Sequence, residues 1–200
     1  FEVETLCRFL RAYQRVQPLS IGEIWAVPIH LRIALVENLR RLSDQVIRAR
    51  QARAKADELA DRLLGLSGRS AESTESVLRH LEEVPLADAF AVQLVQRLRD
   101  QDESITPALI WLDRKLGAQG TSPGKVVARE HHAQAAANAT VRNIITSMRW
   151  MSSIDWLEFF ESVSLVDAEL RACPTFQVMD FATRDAYRKQ FEILSRGSGR

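Results

Sequence analysis

Asp100, Gln101 and Asp102 spell Asp-x-Asp, a triplet whose two carboxylates can hold a divalent metal against a sugar diphosphate when they converge at the end of a strand. Here the triplet sits inside RLRDQDE, after an amphipathic helical pattern and with no strand before it. It reads as a solvated helix end. Arg149-Trp150 invites comparison with Gln-x-x-Arg-Trp, in which the tryptophan stacks on an acceptor sugar, but Thr146 stands where the glutamine would be. That pair reads as packing plus a surface or interhelical charge. Glu130, His131, His132 and Gln134 form the His-rich cluster. Di-iron helices use Glu-x-x-His and zinc proteases His-Glu-x-x-His, and Ala133 and Ala136 occupy the positions a second ligand would need. One histidine is expected against a neighbouring helix and the other in water.

Asp155, Glu158, Glu161 and Asp167 could in principle pair carboxylates for glycoside chemistry, which needs two of them at a fixed separation. On adjacent short helices they need not converge, and helix N-termini favour acids, so capping and ion pairing is the reading. Arg48, Arg50, Arg53 and Lys55 make a basic run with no interleaved aromatics, bracketed by Asp44, Asp57, Glu58 and Asp61. It reads first as a charge-balanced exposed face and second as a contact for anionic lipid head groups. Neither Cys7 nor Cys173 has a histidine at a partnering distance in sequence, and no Gly-rich phosphate loop occurs. No residue is assigned as catalytic, cofactor-binding or metal-ligating.

The elements that would position these groups are helices. Ser20 and Glu23 have capping-box spacing and open SIGEIWAVPIHLRIALVENLRRL, residues 20–42. Apolar residues there fall on nearly every face, which predicts a buried core helix. Glu23, His30, Arg32 and Glu37 interrupt the run before the ~18 residues that a spanning helix needs, and Pro28 predicts a kink near Trp25. The helix should continue past Val46, Ile47 and Ala56 to Leu63, turning progressively towards solvent. Residues 1–17 carry Leu6, Phe9, Leu10, Tyr13 and Val16 on one stripe, ended by Pro18. Gly65 to Ser73 is a loop by composition, and a sub-boundary could fall there. A short helix is expected over 74–83, and another over 86–99 with Phe90, Leu94, Val95 and Leu98 inward. Thr106-Pro107 and Ser122-Pro123 each place proline at a first helical position, opening helices over 106–116 and 124–151. Asp155 caps an aromatic helix, Ser164 a short piece ending at Cys173-Pro174, and Asp180 or Thr183 a last helix with Tyr187, Phe191 and Leu194 inward. No stretch alternates as a strand.

Composition agrees with this picture. Lys plus Arg number 27 against 26 Asp plus Glu, a balance that gives no field for nucleic acid. Eight Gly and six Pro suit long helices, and two cysteines resemble neither a disulfide framework nor a metal set. No signal peptide or membrane-spanning run is evident. The chain starts at Phe1 within a helical pattern and stops at Gly-Ser-Gly-Arg, so both ends read as cut from something longer.

Three long segments carry a family resemblance: FLRAYQRVQPLSIGEIWAVPIHLRIALVENLRRL, EHHAQAAANATVRNIITSMRWMSSIDWLEFFESVSLVD, and MDFATRDAYRKQFEILSRGSG. Together they resemble the amino-terminal region of the cyclic β-1,2-glucan synthases, most weakly over residues 43–88 and 117–124. The resemblance implies a parent that joins glucose from UDP-glucose into a β-1,2 chain, adjusts its length and closes it into a ring. UDP-glucose and a divalent metal would be used by the parent's membrane glucosyltransferase domain, and no catalytic residue of the family maps onto this chain. It implies a helical part preceding the membrane helices, on the cytoplasmic side of the bacterial inner membrane, with other domains of the same polypeptide as partners.

The expectation is therefore an all-α, multi-helix bundle of antiparallel helices around a long, buried, kinked helix, with residues 1–200 forming one domain. Residues 20–42 would be sandwiched by helices 1–17, 124–151 and 156–160, with Trp25 and Trp150 as packing anchors. Arg32, Glu37, Arg142 and Arg149 would be paired inside or at the edge, because an unpaired buried charge is costly. The function expected is scaffolding or regulation of the glucosyltransferase. Glucan binding on Trp111, Trp150 or Trp156, and a protein–protein interaction module, are the alternatives.

Overall fold

The computed structural model describes residues 2–66, 74–79, 81, 82, 84–99 and 106–198. Among them are ten helices and no strand: α1 Val3–Gln14, α2 Ile21–Leu63, α3 Thr74–Arg79, α4 Asp88–Leu98, α5 Thr106–Ala118, α6 Pro123–Ser153, α7 Trp156–Val163, α8 Leu165–Leu170, α9 Pro174–Gln177 and α10 Phe181–Ser198. The all-α class is borne out. The chain divides into two compact units, Phe1–Asn38 with Arg142–Arg200, and Leu39–Val141.

The start signals hold in atomic detail. Ser20 N–H and Oγ both donate to Glu23 Oε2 at 2.8 Å, and Glu23 N–H returns a bond to Ser20 Oγ at 3.3 Å, which is the reciprocal capping box. Asp155 accepts from the N–H groups of Leu157 and Glu158 at 2.9 and 3.1 Å. Ser164 caps α8 through Asp167 N–H, and Asp180 accepts from Thr183 N–H at 2.8 Å. Gly120, at φ 72°, takes the left-handed conformation after α5, and Thr121 N–H closes back on the Leu116 carbonyl at 3.0 Å. α6 can then begin at once, at Pro123.

In the unit Leu39–Val141, α4 is the enclosed element. Ala89, Phe90, Ala91, Val92, Leu94, Val95 and Leu98 are all buried. The end of α2 packs into the same core through Ala56, Leu59 and Ala60, so it does not drift into solvent as its Ala/Arg composition suggests. Alanines let backbones approach closely, and the acidic side chains on α2 then meet α4: Gln93 donates to Asp57 at 2.8 Å and Arg97 pairs with Asp61. Arg129 of α6 holds Asp88 with two bonds, 2.8 and 2.7 Å, and Arg53 pairs with Glu130.

In the other unit, Leu6, Cys7 and Leu10 of α1 meet Ile21 and Ile24 of α2 and Phe159, Phe160 and Val163 of α7. Trp25 stacks on Phe160 with centroids 4.6 Å apart and an interplanar angle of 13°, and Phe181 meets its edge at 6.0 Å. Trp25 is the packing anchor expected. The first helix reaches over the end of α7: Arg11 donates to the Ser162 carbonyl at 2.7 and 3.1 Å and Gln14 to the Val163 carbonyl at 2.9 Å. Those carbonyls have no partner inside a helix that stops there.

Three expectations of enclosure are overturned. Residues 20–42 are not buried all round: Ile21, Ile24 and Pro28 are covered, whereas Ile29, Ile33, Val36 and Leu39 are 39–59% exposed. On the first stripe Leu6 and Leu10 of α1 are buried, but Phe9 and Tyr13, and Val16 just past the helix end, are exposed, and on α10 so are Tyr187, Phe191 and Leu194. The reason is common to all three. An apolar stripe states that a face would profit from cover, but a helix of ~10 Å diameter contacts neighbours only where the chain brings them. Arg32, Arg142 and Arg149 are exposed, Glu37 is half-buried and engaged, and Trp150 is half-buried. The charges buried in this unit are different ones.

Candidate functional site

Arg188 and Asp167 are both fully buried, side chain against side chain. α7 presents Glu161, α8 presents Asp167, Arg171 follows as the C-cap of α8, and α10 presents Arg184 and Arg188 one helical turn apart. Arg188 Nε donates to Asp167 Oδ1 at 2.8 Å, and its Nη2 to the same oxygen and to Glu161 Oε1, the latter at 2.6 Å. Arg184 Nε reaches Glu161 Oε1 at 2.9 Å. Arg171 closes the group from outside, donating to Asp167 Oδ2 at 2.5 Å and to Glu161 Oε2 at 2.9 Å. The Asp167 carboxylate holds the Arg171 guanidinium above its ordinary pKa. Arg171 and Arg184 also tie to the chain between α8 and α10: Gln177 donates to the Arg171 carbonyl at 2.6 Å, and Arg184 Nη1 donates to the Met179 carbonyl at 3.1 Å.

Three guanidiniums thus surround two carboxylates. Their excess charge is met by ring faces, with the Arg188 guanidinium carbon 5.3, 5.7 and 5.2 Å from the centroids of Phe160, Phe176 and Phe181, within the range of a cation–π contact. Arg188 Nη1 has no hydrogen-bond partner, and the rings supply what contact it has. Chemically this is a clamp. All four carboxylate oxygens accept from arginine.

Of the four acids that sequence reasoning considered together, Asp155 caps and Glu161 and Asp167 ion-pair, as expected; that the latter two converge was not expected. The arginines were missed. Their signal is the Arg184/Arg188 pair, four apart on one face of the last helix, together with the two acids already singled out. Asp100, Gln101 and Asp102 lie outside the described residues. His131 and His132 are both exposed, so neither faces a neighbouring helix, and Glu130 is taken by Arg53. Of the basic run, Arg48, Arg50 and Lys55 are exposed. Trp111 is 5% exposed and donates to Glu82 at 2.8 Å, which removes it as a platform for sugar stacking. Cys173 is exposed, its thiol drawn below its ordinary pKa by the backbone N–H groups of Phe176 and Thr175, and Cys7 lies 3.3 Å from Ser162 Oγ.

Two open grooves stand out. One, of about 830 Å³, is lined in the Leu39–Val141 unit by Leu78, Pro107, Ile110 and Trp111 with the ion-paired Glu75, Arg79, Glu82 and Arg114. The other, of about 480 Å³, lies in the unit of the arginine clamp, between residues 18–21, α8 and the end of α10.

Fold and site together define an all-α helical protein with two converging acids paired to arginines. No family model matches the chain. Over 196 residues, 98% of its length, it is 37% identical to the cyclic beta-(1,2)-glucan synthase NdvB of Rhizobium meliloti (strain 1021). The resemblance read from the three long segments is borne out. The chain spans 7% of that protein's length. Among the described residues no helix is long and apolar enough to cross a membrane.

Proposed function

We propose that this chain is a helical module of a cyclic β-1,2-glucan synthase that scaffolds or regulates the membrane glucosyltransferase and contributes no reacting group of its own. The 37% identity across 98% of the chain to a cyclic beta-(1,2)-glucan synthase carries the assignment to such an enzyme. The non-catalytic role is supported by the saturation of Glu161 and Asp167 by three arginines. In this reading the module precedes the membrane helices, lies on the cytoplasmic side of the inner membrane, and has the other domains of the same polypeptide as its partners. UDP-glucose and a divalent metal are handled by the transferase domain.

The experiment is deletion of residues 1–200 from the synthase, followed by separate assays of glucose transfer from UDP-glucose, ring closure and membrane insertion. Loss of transfer or insertion on deletion, with transfer retained in Glu161→Gln and in Asp100→Asn/Asp102→Asn, is the expected pattern. Abolition of transfer by any of those conservative changes in a folded protein would instead place chemistry in this chain. The second reading, a protein–protein interaction module, is favoured by the exposed Tyr187, Phe191 and Leu194 of α10.

A further inference from the structure

The basic run of α2 sits in a different electrostatic setting from the one its sequence suggests. Asp44, Asp57, Glu58 and Asp61 bracket it, which predicts a charge-balanced face. In the folded unit Leu39–Val141 three of those acids are spent elsewhere. Asp44 is held by Arg40 at 2.7 Å. Asp57 accepts from Gln93 at 2.8 Å and has Arg97 at 3.7 Å, and Asp61 pairs with Arg97, so both serve α4. Glu130 of α6 is taken by Arg53. Arg48, Arg50 and Lys55 are left exposed with no ion pair among the described residues, and Glu58 is the acid that remains beside them.

The face is not only cationic. Val46 and Ile47 are 55 and 53% exposed on the same turns. Seven residues make about two helical turns, so Arg48 and Lys55 align along one flank of Ile47 and Arg50 falls on its other flank. Cations on both sides of an exposed aliphatic side chain suit the head-group layer of an anionic bilayer, where phosphates meet the charges and the acyl boundary covers the apolar residue. A soluble polyanion would match the charge and leave Ile47 in water. Single-stranded nucleic acid also stacks its bases on aromatic side chains, and none occurs between Trp25 and Phe90.

We propose that this face of α2 rests on an anionic lipid bilayer, with Ile47 entering the head-group layer and Arg48, Arg50 and Lys55 meeting lipid phosphates. The surface is built by this chain's own charges and does not depend on the assignment to a synthase.

The test measures partition of the chain, in dilute salt, onto vesicles of phosphatidylcholine and phosphatidylglycerol in equal parts, with pure phosphatidylcholine vesicles as reference. Binding should require phosphatidylglycerol and weaken with added salt. It should fall roughly five-fold for each cation removed in the series leading to Arg48→Gln/Arg50→Gln/Lys55→Gln. The control Arg32→Gln/Arg142→Gln/Arg149→Gln makes the same change in net charge at exposed positions of the other unit and should bind nearly as the parent does. Ile47→Gln should weaken vesicle binding about three-fold or more and leave retention on heparin unchanged. Circular dichroism reads whether each variant folds, which exposed positions should allow. No binding, equal binding to neutral vesicles, an equal loss in the control, no effect of Ile47→Gln, or tighter binding to single-stranded RNA than to the vesicles would each overturn the proposal. The deletion assay is independent of all of these outcomes, so their failure would leave the module reading standing.

Discussion

Replacing Arg188 by alanine should lower the thermal midpoint of the chain by roughly 6–12 °C. The side chain is fully buried between Asp167, Glu161 and three aromatic rings. Removing one partner of a buried ion pair costs about 3–5 kcal/mol, because the other is left desolvated and uncompensated. Arg171 still holds both carboxylates, at 2.5 and 2.9 Å, so the lower end, about 3 kcal/mol, applies. For a chain of this size about 2–4 °C accompanies each kcal/mol, which gives the range stated. Arg188→Lys should fall between, since an ammonium keeps the charge but cannot fork between two carboxylates. The decisive comparison is the triple variant Glu161→Met, Asp167→Leu, Arg188→Met, which removes buried charge of both signs and should recover at least half the loss. Melting followed by circular dichroism, with tryptophan emission reporting on the Trp25 stack, reads all three. If Arg188→Ala shifted the midpoint by less than ~2 °C, the cluster would not be holding α10 in place, and the reasoning from burial and pairing would be refuted.

Trp25→Ala removes the 4.6 Å stack on Phe160; as Trp25 is only half-buried, about 2 kcal/mol is expected rather than the larger loss of a fully buried tryptophan, measurable by urea unfolding. Leu94→Ala, at a position with no exposed surface, should cost about 3 kcal/mol, whereas Ile33→Ser, at 59% exposure, should stay within ~0.5 kcal/mol; equal effects would contradict the burial pattern. Glu23 is held below its ordinary 4.5 by Ser20, and Asp180 below its ordinary 3.8 by Thr183. Carboxyls depressed on folding add stability above their unfolded pKa and lose it as pH falls through the folded value. The urea midpoint should therefore drop as pH goes below 4.5, and part of that drop should vanish in Glu23→Gln/Asp180→Asn.

Local signals were enough to lay out the helices. Ser20 with Glu23, Asp155, Ser164 and Asp180 each satisfy donors within a few residues of themselves, and Pro107 and Pro123 at the helix starts have no N–H to satisfy, so their geometry follows from chain-neighbour chemistry alone. The inward face of α4 was equally legible, because a period of 3.6 with Phe90, Leu94, Val95 and Leu98 fits a helix enclosed on most sides. What tertiary structure decided is which apolar stripes receive cover. Ile33 and Leu59 sit on one helix, and composition makes the first greasy and the second solvent-facing, yet Ile33 is open to solvent while Leu59 is buried with Ala56 and Ala60. Burial depends on what the rest of the chain brings alongside, across separations no local window contains. The same holds for Arg188, whose partners lie 21 and 27 residues away. A guanidinium profits from burial only where two carboxylates and aromatic faces have already been assembled, and that assembly is a property of packed helices.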